Sequence, residues 1–137
     1  MNKEHTLTVV EPTLDGDSAI DLAKETRARG GDTTIVLLLG RETVANVAAF
    51  AKAEDLAIAD GREIYFQRLT ETYENLSGGK VTLVFDGPTA NRWVFDQAAR
   101  SHATSVVLPQ RLVNRRNWKA SVSKSQVPVL LAPPKAA

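Results

Sequence analysis

The 137-residue chain is 43% hydrophobic and 24% charged with eight glycines and six prolines, which predicts one folded domain over residues 1–137 and excludes disordered, collagen-like and low-complexity classes. It has no cysteine, which excludes thiolate catalysis, cysteine-based metal sites and disulfides. The net charge of +1 conceals an uneven distribution of charge along the chain. Through Asp96 there are 10 Lys and Arg against 16 Asp and Glu, whereas from Gln97 onward there are seven basic residues and no acidic residue. This distribution predicts charge pairing within the chain or between copies, or an anion site between Arg111 and Lys119.

The first elements are a strand, a helix and a second strand. Residues 6–10 are rich in β-formers and predict a strand. Asp17 is a candidate N-cap for a helix that ends at Gly30 and Gly31. Residues 34–39 form a nearly continuous apolar run, which is typical of a central parallel strand that is covered on both faces.

A long helical stretch follows, and we expect a break in it near Ala59. Its first part has apolar residues at helical spacing, namely Val44, Val47, Ala48 and Ala51. Asp60 and Glu63 have the spacing of a capping box at the start of the second part, which ends at Gly78. The later predicted elements are a strand at residues 80–85, a turn at 86–88, a helix at 89–101, a strand at 105–108, a helix at 115–125 and a strand at 127–132.

This alternation predicts an α/β fold with a five-stranded, mostly parallel, doubly wound sheet and helices on both faces. Ligands of such sheets bind beyond the carboxyl ends of the strands, where the strand order reverses. The segments that follow strands one, two and four therefore form the candidate site: residues 11–17, 40–41 and 109–116.

The sequence contains no motif that carries catalysis. It lacks the dinucleotide-binding G-x-G-x-x-G, the phosphate-binding G-x-x-x-x-G-K-[ST] and the nucleophile elbow G-x-S-x-G. His5 and His102 have no second histidine at metal-ligand spacing, and we interpret both as solvated. We therefore predict no catalytic residue, no metal site and no enzymatic activity.

The order of elements resembles the universal stress protein family over nearly the whole chain. The matching segments are the closing Gln126-Val127-Pro128-Val129-Leu130-Leu131 and the block from Gly87-Pro88 through Trp93 to Ser105-Val106-Val107-Leu108. The family's Asp-Gly-Ser after strand one falls on Glu11-Pro12-Thr13. The resemblance implies an adenine-nucleotide α-hydrolase type of fold.

The chain departs from the family pattern where ATP-binding members hold the nucleotide. Those members carry Gly-x2-Gly-x9-Gly-Ser/Thr after strand four, whereas this chain has no glycine after Gly87 and a shortened segment at residues 109–116. Side chains there crowd the close backbone approach that glycine permits. Glu11 replaces the family's Asp, and Gly40 replaces an apolar residue that lies against adenine. We expect no ATP binding in the family manner and no cofactor.

These observations predict a non-catalytic, homodimeric protein of stress response or regulation, with a possible unknown protein partner. The last strand is an apolar sheet edge, and self-pairing satisfies its free main-chain groups. Members of the resembled family often dimerise through this strand. The predicted interface residues are Val127, Val129 and Leu131.

The alternative is a binder of a nucleotide, such as ATP or AMP, or of another phosphate-containing small molecule. Arg111, Arg115 and Arg116 then replace main-chain donors around the phosphate, with Glu11 and Gly40 completing the site.

Two further classes of partner are not expected. Nucleic acid is disfavoured because the basic C-terminal part has little aromatic interleaving and the acidic remainder repels a duplex. A membrane is disfavoured because no apolar run approaches the length of a span, and the start of the sequence has no apolar export segment. These features and the absence of cysteine predict a cytoplasmic location.

Overall fold

Five strands form one sheet in the order β3-β2-β1-β4-β5, and every neighbouring pair is parallel. The structure, a computed structural model, describes residues 3–12 and 17–133, without the side chain of Asp17. Predictions on Thr13 and on the capping side chain of Asp17 lie outside the described part. The strands are β1 (His5–Val10), β2 (Asp32–Leu39), β3 (Lys80–Phe85), β4 (Ser105–Pro109) and β5 (Val129–Ala132). The helices are α1 (Asp17–Ala28), α2 (Arg41–Ala53), α3 (Ile58–Ser77), α4 (Ala90–Arg100) and α5 (Arg116–Lys124), with a 3₁₀ turn at Gln110–Asn114.

Helices cover both faces of the sheet, and the predicted fold class is confirmed. On one face, Ile20 and Ala23 of α1 and Phe66 of α3 pack over β2. On the other face, Val94 of α4 and Trp118 of α5 pack over β1 and β4. Burial on both faces explains why β2 has an apolar run instead of an alternating pattern.

The predicted capping box at Asp60 and Glu63 is wrong. Helix α3 begins two residues earlier than Asp60, at Ile58, and its cap residue Ala57 makes no side-chain hydrogen bond. Asp60 therefore lies in the first helical turn, where its charge is favourable to the helix dipole.

The last strand is shorter than predicted, and Val127 lies outside it. Ser125 Oγ accepts a hydrogen bond from Val127 N at 3.2 Å and donates one to Val127 O at 2.8 Å. This local turn engages the main chain of Val127, so β5 begins only at Val129.

We expect Gly79→Ala to destabilise the fold by about 1–3 kcal/mol, because a β-carbon there would crowd the neighbouring strand. That atom would lie 2.6 Å from Thr33 Cγ2 and closer still to the Thr33 carbonyl oxygen. Gly87→Ala is the matched control, since a β-carbon at Gly87 has no neighbour within 4 Å. Urea unfolding measures both free energies, and equal stabilities of the two variants would contradict the prediction.

Candidate functional site

The candidate site lies at the carboxyl ends of the strands, where β1 is flanked by β2 on one side and by β4 on the other. Glu11 follows β1, Gly40 follows β2 and the 3₁₀ turn follows β4. The strand order reverses between β1 and β4, and the helices that follow these two strands pack on opposite faces of the sheet. Such a reversal creates a crevice at this edge. The structure brings together Glu11 and Arg111 at this point.

Glu11 and Arg111 form an ion pair across the crevice. Arg111 Nε donates to Glu11 Oε1 at 2.8 Å. The Glu11 side chain is only 15% exposed, so this carboxylate is largely removed from water and depends on its cationic partner. The pair joins the segment after β1 to the segment after β4.

Arg115 forms a bidentate ion pair with Asp86, the residue that follows β3. Its Nη1 lies 2.7 Å from Asp86 Oδ2, and its Nη2 lies 3.1 Å from Asp86 Oδ1. The hydrogen bond to the Asp86 carboxylate raises the pKa of Arg115, burial opposes this, and the charges of Asp86 and Glu11 add to the rise. The two ion pairs are therefore electrostatically coupled.

Arg116 and Gly40 are not part of this cluster of ion pairs. Arg116 is the exposed first residue of α5, and within the described residues its side chain forms no hydrogen bond or ion pair. Gly40 is exposed at the start of α2, and a β-carbon there would meet no atom within 4 Å. Neither position is closed by packing.

The segment after β4 is fixed by packing and lacks a backbone anion cradle. Leu112 is 1% exposed and packs with Leu108 and Trp118 in the core. No residue from 110 to 115 has a left-handed φ, the conformation that turns successive N–H groups into a concave anion site. Donors to a ligand would therefore come from the arginine side chains and from the uncapped main-chain N–H groups in the first turn of α5.

Asp86 belongs to the site but was not predicted from the sequence. Its sequence context predicts a turn, and the candidate site was assigned only to the ends of strands one, two and four. In a parallel sheet the carboxyl end of β3 lies at the same edge, so an acidic residue directly after β3 was the available signal.

The predicted interface strand β5 lies at a sheet edge. Pro128 O accepts from Val106 N, so the alternation of a strand directs the main-chain groups of Val129 and Leu131 away from β4. Leu131 is 43% exposed, whereas Val129 is half-buried against the core. Val127 is half-buried outside the strand, so Leu131 is the predicted interface residue whose side chain is open to solvent.

The interpretation of His5 as solvated is wrong, since its ring bonds both Ser101 O at 3.1 Å and Thr34 Oγ1 at 2.9 Å. His102 is exposed, as expected.

Within the described residues, no three His, Asp or Glu side chains are grouped as metal ligands. No helix in that part of the chain has the length and hydrophobicity needed to cross a bilayer.

We expect a double-mutant cycle of Arg115→Ala and Asp86→Asn to give a coupling free energy of about 0.5–1 kcal/mol that falls at high salt. The matched cycle of Arg100→Ala and Asp96→Asn tests an ion pair with one short contact on α4, for which we expect about 0.3 kcal/mol. Urea unfolding of the variants measures both couplings. A coupling no larger at Arg115 than at Arg100 would contradict the role of the bidentate pair.

No protein-family profile and no curated protein match the chain. Several solved structures share its fold. The hypothetical protein MJ0577 is 12% identical, with 100% of both chains covered and a TM-score of 0.60. The universal stress protein from Archaeoglobus fulgidus in complex with dAMP is 15% identical and has a TM-score of 0.57. The match covers 95% of this chain and 97% of the Archaeoglobus chain. An AMP-bound universal stress protein family protein from Arabidopsis thaliana is 12% identical, with 97% and 93% covered and a TM-score of 0.55. The resemblance stated from the sequence is thus confirmed for the fold: this chain has the fold of the universal stress proteins.

Proposed function

We propose that the chain is a cytoplasmic, non-catalytic homodimer of stress response or regulation that does not bind ATP in the manner of the nucleotide-binding universal stress proteins. The observation that carries this proposal is the pairing of Arg111 with Glu11 and of Arg115 with Asp86 in the crevice. The arginines that would hold a phosphate are engaged by carboxylates of the same chain.

The charge of this cluster argues against a triphosphate. Within the described residues, the two carboxylates offset the charges of the two guanidinium groups, so these ion pairs offer little attraction for an anion. A phosphate that displaced one carboxylate would meet that carboxylate at short range, which costs about 3 kcal/mol at roughly 5 Å near a protein surface. The segment after β4 offers no cradle of N–H groups to offset this cost.

We expect Mg-ATP to bind with a dissociation constant above roughly 0.1 mM, a binding free energy no more favourable than about −5.5 kcal/mol. Isothermal titration calorimetry measures this affinity. Micromolar affinity that is lost in Arg115→Ala would contradict the proposal, and Arg100→Ala, on a helix remote from the crevice, is the matched control.

The open edge of β5 supports the dimer. Val129 and Leu131 direct their main-chain donors and acceptors outward, and no described residue pairs with them. Leu130 and Leu131 are 48% and 43% exposed on opposite faces of this strand, so an apolar side chain flanks these groups on each face. A second β5 on this edge would satisfy the main-chain groups and partly cover both leucines.

We expect Leu131→Asp to convert the dimer to a monomer without unfolding it, because a carboxylate in the contact loses its hydration. Leu131 is a better test than Val129, whose side chain contacts the core. Val44→Asp, at a residue of α2 that is 60% exposed, is the matched control. Sedimentation velocity measures the mass and circular dichroism the fold. An unchanged sedimentation coefficient in a folded Leu131→Asp protein would show that any dimer uses another surface.

A second candidate function is the binding of a mononucleotide such as AMP, or of another small phosphate compound. It is favoured by Arg116, which forms no ion pair within the described part of the chain and stands at the start of α5. The dAMP-bound and AMP-bound proteins of the same fold also support it. A single phosphate needs fewer donors than a triphosphate does.

Thermal unfolding with AMP, cyclic AMP and inorganic phosphate separates the two candidates. A ligand at about 100 times its dissociation constant adds about 2.7 kcal/mol to stability, which raises the unfolding temperature by several degrees. A rise with AMP that disappears in Arg116→Ala would establish the second function. An unfolding temperature that rises with none of the three ligands would favour the first candidate, a homodimer that binds no nucleotide.

A further inference from the structure

We propose that the free edge of β3, together with the groove between β3 and α3, binds an extended basic segment of a partner protein, which adds to the sheet as a further strand. This surface lies at the opposite side of the sheet from β5, and the proposal does not depend on the crevice or on the dimer.

The main-chain groups at the outer edge of β3 are open. Asp86 N donates to Leu39 O, so Asp86 faces β2. Because main-chain groups alternate in direction along a strand, Val81, Leu83 and Phe85 direct their N–H and C=O groups away from the sheet. Within residues 3–12 and 17–133, no hydrogen bond to these outward groups is formed. They form a ready edge for strand addition.

A groove with an apolar floor runs beside this edge. Its volume is about 430 Å³, and it lies between α3 and the side chain of Leu83. Phe66 of α3 lines the groove and packs edge-on against Phe85, with ring centroids 6.0 Å apart. Phe85 is 57% exposed at the end of the strand. An added strand would place alternate side chains over this apolar floor.

The rim of the groove is acidic, which favours a basic partner. Glu71 and Glu74 line it, and within the described part of the chain neither forms an ion pair. Arg68, on the same helix, lies over the Phe50 ring at 5.3 Å and not in the groove. The remaining lining residues are Gln67 and Thr70. Lys and Arg side chains of an extended segment would therefore find complementary charge here.

The occupant that fits these features is an extended peptide segment that carries both apolar and basic residues on one face, at every second position. On that face the apolar residues cover the floor at Phe66 and Leu83, the basic residues reach the glutamates, and the peptide main chain pairs with β3. A uniformly acidic segment would be repelled by Glu71 and Glu74.

Fluorescence anisotropy with the full chain and a short labelled peptide tests the proposal at low salt. The peptide repeats Lys-Ser-Val-Ser, so that Lys and Val share one face of the added strand. We expect saturable binding, no binding of the matching Glu-Ser-Val-Ser peptide, and affinity about fivefold weaker in the double variant Glu71→Gln with Glu74→Gln. The double variant Glu42→Gln with Glu54→Gln, with the same change of charge at exposed positions in and beside α2, is the matched control and should bind as the wild type does.

Two N-methylated peptides test the main-chain pairing. One is methylated at every lysine and valine nitrogen and the other at every serine nitrogen. An added strand presents only one set of alternate N–H groups to β3, so we expect one peptide to lose at least about tenfold in affinity and the other to retain binding. Equal effects of the two methylations, or equal binding by the two double variants, would overturn the proposal.

Self-association distinguishes a second copy of this chain as the occupant. If Phe85→Asp abolishes it and Leu131→Asp does not, a second copy covers the β3 edge and the peptide proposal is wrong. If peptide binding fails while Leu131→Asp still yields a monomer, only this inference is lost and the proposed dimer stands.

Discussion

The pairing of β1 with two parallel neighbours is the constraint on which the rest of the structure depends. Residues 6–10 of β1 are all buried, with β2 on one side and β4 on the other. This pairing aligns the carboxyl ends of the strands at one edge, and so brings Glu11 within 2.8 Å of Arg111. It also leaves β3 and β5 as the two outer strands, with one side of each main chain unpaired. The crevice and both free edges thus follow from the burial of one short strand.

The strands and the sheet could be predicted from the sequence because burial dictates their composition. The apolar run of β2 requires cover on both faces, and the helix ends at Gly30 and Gly78 require a left-handed φ, which both residues have. The start of β5 could not be predicted in the same way. Val127 has the composition of a strand residue, but the hydroxyl of Ser125 engages its main chain.

The position of the candidate site could be predicted from the sequence, but the ion pairs within it could not. Parallel topology was enough to assign Glu11 and Arg111 to one edge of the sheet. The partner of Arg115 depends on which carboxylate its side chain reaches, and that is Asp86, which directly follows β3 at the far side of β2. The sequence shows that acidic residues precede basic ones, but only the fold determines which of them meet. In the crevice they pair with each other, whereas the glutamates along the groove of α3 form no ion pair with any residue that the structure describes.

The opposite positions of β3 and β5 have a consequence for assembly. Two copies joined through β5 would form one continuous sheet with a β3 groove at each end. At about 4.8 Å per strand, the two grooves would be roughly 40 Å apart. A partner that carries two basic segments on a linker of that reach would engage both grooves, and the second contact would form at a high effective concentration. Weak strand addition at each end would then yield strong avidity for dimeric or repetitive partners, and dissociation of the β5 contact would release them.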